Sequence, residues 1–65
     1  MIVKIIEILS TSPNSWEEAS QNAVKEASKS IRNITGVDVI GFKAEVKDGK
    51  IVEYRVNARI AFIKE

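Results

Sequence analysis

The chain has 65 residues, 29% of them charged, and ten basic residues against nine acidic ones give a net charge of +1. It contains no histidine and no cysteine, which excludes an imidazole base, a thiol nucleophile, a disulfide and the usual ligands of zinc. The basic residues are interspersed along the chain rather than gathered into the stripe typical of nucleic-acid-binding proteins.

The length predicts one small domain over residues 1–65. A domain of this size buries only about 60% of the surface that its unfolded chain exposes. Because no disulfide is available, association with other copies is the remaining source of stability. The longest apolar run, 60–63, is far too short to span a bilayer, and the N-terminus lacks a signal-peptide pattern. We therefore expect a cytoplasmic homo-oligomer with neither a membrane nor a nucleic-acid partner.

The N-terminal half predicts a strand followed by a helix. Residues 2–9 are rich in β-branched side chains, and the polar residues 10–14, with Pro13, interrupt them. Ser15 and Glu18 form a capping-box pattern at a helix start. Apolar residues then recur at helical spacing as far as Ile34, and Asn33 and Gly36 mark the predicted exit.

The C-terminal half predicts a β-hairpin. From Val52 to Phe62, apolar residues occupy every second position, as in a strand with one buried face. The parity favours a three-residue loop over 47–49 instead of a two-residue loop. The predicted cross-strand pairs are Ala44 with Val52, Phe42 with Tyr54, Ile40 with Val56, Lys43 with Glu53 and Gly41 with Arg55.

These elements predict an α+β fold of order β-α-β-β, with a three-stranded antiparallel sheet wrapped around one helix. A change of parity beside Gly41 indicates a β-bulge there. One helix covers one face of the sheet, so we expect the other face to be partly apolar and to contact a partner chain. We assign four apolar residues to that outer face: Val39, Ile51, Ala61 and Ile63.

Few residues stand out as candidates for a binding site. Arg55 opposite Gly41 would leave a slot for a planar or anionic group, although an ion pair with Asp38 or Glu53 is the simpler alternative. Trp16, at the start of the helix, is more simply explained by packing than by ligand stacking. The same holds for Phe42 and Tyr54, which we assign to the core. The carboxylates show no EF-hand spacing, and a calcium site shared between subunits stays open as an alternative.

As a whole the sequence resembles the dodecin family. The resemblance extends over nearly the whole chain without an obvious gap, and it is carried by an ordered set of short matches: 4–8, 11–13, 15–19, 21–23, 27–30, 32–34, 36–37, 48–55 and 61–62.

The resemblance implies a hollow homododecamer that binds or stores a small ligand at its subunit interfaces and has no catalytic activity. In many dodecins the ligand is a flavin such as FMN or riboflavin, stacked on a Trp just after the helix and bonded by a Gln on the last strand. Here those positions hold Gly36 and Arg55, so both are our candidate cofactor-binding residues, and weak flavin binding is expected. The alternative is a dodecameric assembly without flavin that binds a metal ion or another nucleotide cofactor. An enzyme using carboxylates and Tyr54 has no supporting residue spacing.

Overall fold

The computed structural model describes residues 1–64 and has the predicted β-α-β-β order. Strand β1 spans Ile2–Ser12, helix α1 spans Trp16–Ser28, strand β2 spans Ile34–Lys47 and strand β3 spans Lys50–Lys64. All pairings are antiparallel, and β3 lies in the middle of the sheet order β1-β3-β2. The predicted fold, a three-stranded antiparallel sheet with one helix against it, is confirmed. No helix among these residues has the length and hydropathy needed to cross a membrane.

The hydroxyl groups of two serines make hydrogen bonds that hold the connection between β1 and α1. The backbone N–H of Glu18 donates to Ser15 Oγ over 2.9 Å, as predicted for an N-cap. Ser12, only 1% exposed, accepts from the backbone N–H groups of Asn14 and Ser15 and donates to Glu18 Oε1. Glu18 therefore bonds to Ser12 and Asn14 instead of completing the reciprocal capping box.

The helix ends earlier than its apolar stripe predicts. Helix α1 stops at Ser28, and Asn33 adopts a positive φ of 62°. Ile34 begins β2 opposite Phe62, so its backbone is bonded within the sheet instead of the helix. Ile31 and Ile34 nevertheless pack against the core, which explains why they continued the apolar pattern. The prediction that helical structure continues toward Ile34 was wrong.

The hairpin register also differs from the prediction. Asp48 and Gly49 both have positive φ, 50° and 74°, and Lys47 pairs with Lys50. These are the features of a two-residue type I′ turn. The register shifts between Glu45 and Val46 and leaves Val52 unpaired. This one-residue bulge produces the change of parity on which the prediction of a three-residue loop was based. The actual pairs include Ala44 with Tyr54, Phe42 with Val56, Lys43 with Arg55 and Gly41 with Asn57.

The bulge predicted beside Gly41 is confirmed, but it changes which residues face the helix. The register shifts between Val39 and Gly41, so Ile40 is the extra residue. Val39 pairs with the buried Ala58 and therefore lies on the helix side of the sheet. Ile51 pairs with Val46 on that same side. Their assignment to the outer face was wrong.

The core between helix and sheet is built largely from alanine. Ala19, Ala23 and Ala27 are buried on α1, and they lie over a strand whose Val56, Ala58 and Ile60 are fully buried. Small side chains on the helix bring its backbone close to the sheet. A larger side chain at one of these alanine positions would therefore find little free space.

Much apolar surface lies beyond the helix. The chain measures 49 Å along its longest axis, whereas 13 helical residues span only about 20 Å. Phe42 (63% exposed) and Val46 (60%) remain uncovered on the β2–β3 hairpin, and Ile5 and Leu9 (61% each) lie on the face of β1 that is turned away from the helix. The assignment of Phe42 to the core was wrong for the isolated subunit. Exposed apolar area of this extent is typical of an interaction surface.

Candidate functional site

Arg55 lies at the centre of a charged cluster on the outer face of the sheet. It is directly opposite Thr11 of β1 and Lys43 of β2. Gly41, its predicted neighbour, is instead opposite Asn57, and a Cβ atom built on Gly41 would lie 3.7 Å from Asn57 Oδ1. The predicted slot between Arg55 and Gly41 is therefore absent, because the hairpin register differs.

Two carboxylates hold the Arg55 guanidinium. Its Nε donates to Glu53 Oε1 over 2.7 Å, and its Nη2 donates to Glu45 Oε2 over 3.0 Å. Glu45 and Glu53 are themselves directly opposite each other, an arrangement that repels unless a cation lies between them. The ion pair with Glu53 is the alternative that the sequence offered. Glu45 was missed because the predicted register placed it elsewhere.

The electrostatics keep Arg55 charged. The hydrogen bond to Glu53 and the charge of that carboxylate raise the pKa of Arg55 above its ordinary value, with Glu45 acting in the same direction and partial burial opposing both. All three side chains are between 35% and 42% exposed. A guanidinium has five N–H donors, so three remain for a ligand beside carboxylate oxygens that can accept.

Gly36 lies far from Arg55 within one subunit. It is part of β2 and directly opposite Ala61 on β3. Ala61 and Arg55 are six residues apart on that strand, a separation of about 20 Å. No atom lies within 4 Å of a Cβ built on Gly36, so this position offers open backbone surface. A single ligand of flavin size that touched both candidate residues would have to do so across two copies of the chain.

Trp16 is used for packing. Its Nε1 donates to the carbonyl oxygen of Lys43 over 2.9 Å, which anchors the start of α1 to β2. Its ring makes edge contacts with Tyr54 and Phe42, with centroids 4.9 and 6.1 Å away. The packing interpretation of Trp16 is confirmed.

Comparison with known proteins identifies the family. The Dodecin family model matches residues 2–65. This chain belongs to the dodecin family. The calcium dodecin of Mycobacterium tuberculosis is 34% identical over 61 residues, which cover 94% of this chain and 86% of that protein.

Solved dodecin structures have the same fold. Dodecin from Streptomyces coelicolor superposes with a TM-score of 0.92 at 26% identity, over 98% of this chain and 93% of that one. The M. tuberculosis calcium dodecin, described as having a novel calcium-binding site, gives a TM-score of 0.85 at 36% identity, over 100% and 93% of the two chains.

The residues present fit a flavin only in part. Arg55, Glu45 and Glu53 together offer hydrogen-bond donors and acceptors on one exposed face. Gly36 offers no ring on which an isoalloxazine could stack. Among residues 1–64, no group of three or more His, Cys, Asp or Glu side chains is placed to hold a metal ion.

Proposed function

We propose that this dodecin is a non-catalytic, cytoplasmic protein that assembles as a homododecamer and binds a small ligand at its subunit interfaces. The observation that carries the proposal is the family match over residues 2–65. The uncovered apolar side chains of β1 and of the β2–β3 hairpin support the assembly, because a lone subunit leaves them in water.

The assembly is tested by native mass spectrometry of protein purified without added ligand. The subunit mass is 7.2 kDa, and the expected species is the twelve-subunit particle with any co-purified ligand as extra mass. A folded protein that remains a single 7.2 kDa particle at micromolar concentration would contradict the proposal.

The ligand that we propose first is a flavin, either riboflavin or FMN, with Arg55 and Gly36 as the contacting positions of two neighbouring copies. Arg55 supplies donors, and a guanidinium can lie against an aromatic ring. Because Gly36 supplies no stacking ring, we expect a dissociation constant no tighter than about 10 µM.

A fluorescence titration tests the flavin and locates its contacts. Riboflavin or FMN is titrated with protein while flavin emission is followed, and binding is expected to quench it. A Gly36→Trp variant adds a stacking ring into open space and should quench more strongly and bind more tightly. Absence of quenching in both proteins at about 100 µM would remove flavin as the ligand.

Calcium is the second candidate, favoured by the 34% identity to the calcium dodecin of M. tuberculosis. The matching experiment is calorimetry with CaCl₂ on protein first dialysed against a chelator, with MgCl₂ as the control cation. Binding heat with CaCl₂ but not with MgCl₂ would support this alternative, because flexible sites made of oxygen ligands favour Ca²⁺ over the smaller Mg²⁺. No heat from either cation would eliminate it.

A further inference from the structure

The tip of the β2–β3 hairpin carries an Asp-Gly dipeptide, Asp48-Gly49, which the proposed ligand contacts do not use. Residues 47–50 are all exposed. The backbone nitrogen of a glycine lies open to the carboxyl group of a preceding aspartate, because glycine has no Cβ to shield it. The tip is therefore a place where the chain can react with itself.

No neighbouring side chain holds the Asp48 carboxyl group away from Gly49. Asp48 is absent from the carboxylates of residues 1–64 that accept side-chain hydrogen bonds or pair with a cation, which are those of Glu7, Glu18, Glu26, Glu45 and Glu53. A Cβ built on Gly49 meets no atom within 4 Å, so the space beside that residue is open as well. The two groups can therefore approach each other freely.

The backbone at Asp48 already has the sign of φ that ring closure needs. Asp48 has a φ of 50° in a type I′ turn. A five-membered ring through Asp48 Cγ and Gly49 N requires these two atoms to eclipse about the Cα–C bond. For an L residue this corresponds to a ψ of about −120°, which is the value at the first central position of a type II′ turn.

The hairpin can reach this geometry without opening. Types I′ and II′ share a positive φ at the first central residue and differ by a rotation of the peptide plane between the two central residues. Both types close two-residue hairpins. A flip of the Asp48–Gly49 peptide plane therefore brings the reacting atoms together while the strands stay paired.

The positions most similar to Asp48 are less suited to this reaction. Asp38 and Asn33 are each followed by a β-branched residue, whose bulk shields the backbone nitrogen. The amide of Asn14 donates to both carboxylate oxygens of Glu18, over 2.9 and 3.1 Å. The reaction should therefore be confined to Asp48.

We propose that Asp48 is a site of spontaneous isomerisation to isoaspartate. Gly49 N attacks Cγ of the protonated Asp48 carboxyl group, and the N–Cγ bond forms as the amide proton and a carboxyl oxygen leave as water. Water then opens this cyclic succinimide. Cleavage of the bond from nitrogen to Cγ restores aspartate, whereas cleavage of its bond to the former main-chain carbonyl carbon gives isoaspartate. One water is lost and one is gained, so no other reactant is needed.

Isomerisation changes the hairpin beside the Arg55 cluster. In isoaspartate the backbone runs through Cβ and Cγ, so the loop gains a methylene group and loses the geometry of a type I′ turn. Two cross-strand pairs separate this turn from the opposed Glu45 and Glu53. The isomerised protein should therefore melt at a lower temperature than fresh protein.

Ageing of the native protein at neutral pH tests the proposal. Isoaspartate is detected by a protein isoaspartyl methyltransferase, which transfers a labelled methyl group from S-adenosylmethionine to it, and peptide mapping locates the label. The same chain unfolded in guanidinium chloride sets the time scale. We expect label at residue 48 of the native protein by the time that the unfolded chain has converted most of its Asp48. A native chain still unlabelled at that time would overturn the proposal.

Two variants of Asp48 separate this reaction from general ageing. Asp48→Glu keeps the charge but cannot close the five-membered ring, so both the label and the loss of melting temperature on ageing should disappear. Asp48→Asn keeps a dipeptide that favours the type I′ turn and should form the same ring with release of ammonia, which raises the mass of the aged protein. Equal labelling of Asp48→Glu and wild type would contradict the assignment to Asp48. These readouts involve neither flavin nor calcium, so they stand apart from the ligand titrations.

Discussion

Glu45 and Glu53 face each other across β2 and β3, and the Arg55 guanidinium bonds to both. Two like charges in directly opposed positions destabilise a sheet unless a cation separates them. Arg55 is therefore part of the structure of the hairpin as well as a candidate ligand contact, and its two roles can be separated by experiment.

Replacing Arg55 with Gln should lower the free energy of unfolding, because Glu45 and Glu53 are left without their cation. The effect should shrink at high salt, which screens exposed charges. Urea unfolding at low and high NaCl measures it, and the double variant Arg55→Gln, Glu45→Gln is the control that removes the repulsion. If Arg55→Gln has the wild-type unfolding midpoint at low salt, the cluster has no structural role.

The stability difference between wild type and Arg55→Gln should stay constant from about pH 7 to pH 10. The pKa of Arg55 is raised in the folded state, so its contribution is fully present below the unfolded pKa and is lost only as the pH rises through the folded value. Melting curves across this range measure the difference. A difference that disappeared by about pH 9 would contradict the assignment of a charged guanidinium.

Replacing Ser12 with Ala should destabilise the fold by about 1 to 3 kcal/mol. Its buried hydroxyl accepts from the N–H groups of Asn14 and Ser15, and both lose this partner in the variant. Ser28→Ala is the matched control, because its exposed hydroxyl donates only to Val24 within its own helix. Chemical unfolding compares the two, and equal midpoints would show that the Ser12 bonds are dispensable.

Gly49→Ala should cost about 1 kcal/mol or more, since Gly49 has a φ of 74° and a side chain there is strained. Gly36→Ala is the control, because a Cβ at Gly36 meets no atom within 4 Å and its φ is not positive. Thermal unfolding measures both. If Gly36→Ala were the more destabilising of the two, the turn geometry described here would be wrong.

Leu9→Lys should break the proposed assembly without unfolding the subunit. Leu9 is 61% exposed on the outer face of β1, so a charge costs nothing there in a lone subunit but is desolvated in an interface. The expected result is a shift to smaller species in native mass spectrometry with an unchanged circular dichroism spectrum. Ile60→Ala, at a fully buried site, should instead cost about 2 to 5 kcal/mol of folding stability. An intact dodecamer in Leu9→Lys would exclude this face from the interface.

Local signals determined most of the fold. The Ser15 cap, the alternation on β3 and the glycine beside the β2 bulge each depend on neighbouring residues, so the sequence was enough to predict the element order and the single helix. The Asp48-Gly49 turn was also readable, because this dipeptide favours a two-residue type I′ turn. The parity of the two strands favours a longer loop instead, but a bulge at Val52 produces the same change of parity.

Tertiary structure decided where the helix ends and which residues surround Arg55. Ile34 fits a helical stripe and a strand equally well by its apolar side chain, and its pairing with Phe62 settles the choice through sheet hydrogen bonds. Whether Arg55 lies opposite Gly41 or opposite Lys43 and near Glu45 depends on the two-residue turn and on the one-residue bulge at Val52 in its own strand. Periodicity predicts the face on which a side chain lies only between bulges. A bulge changes both that face and every later cross-strand neighbour, and its position follows from packing between strands that are distant in sequence.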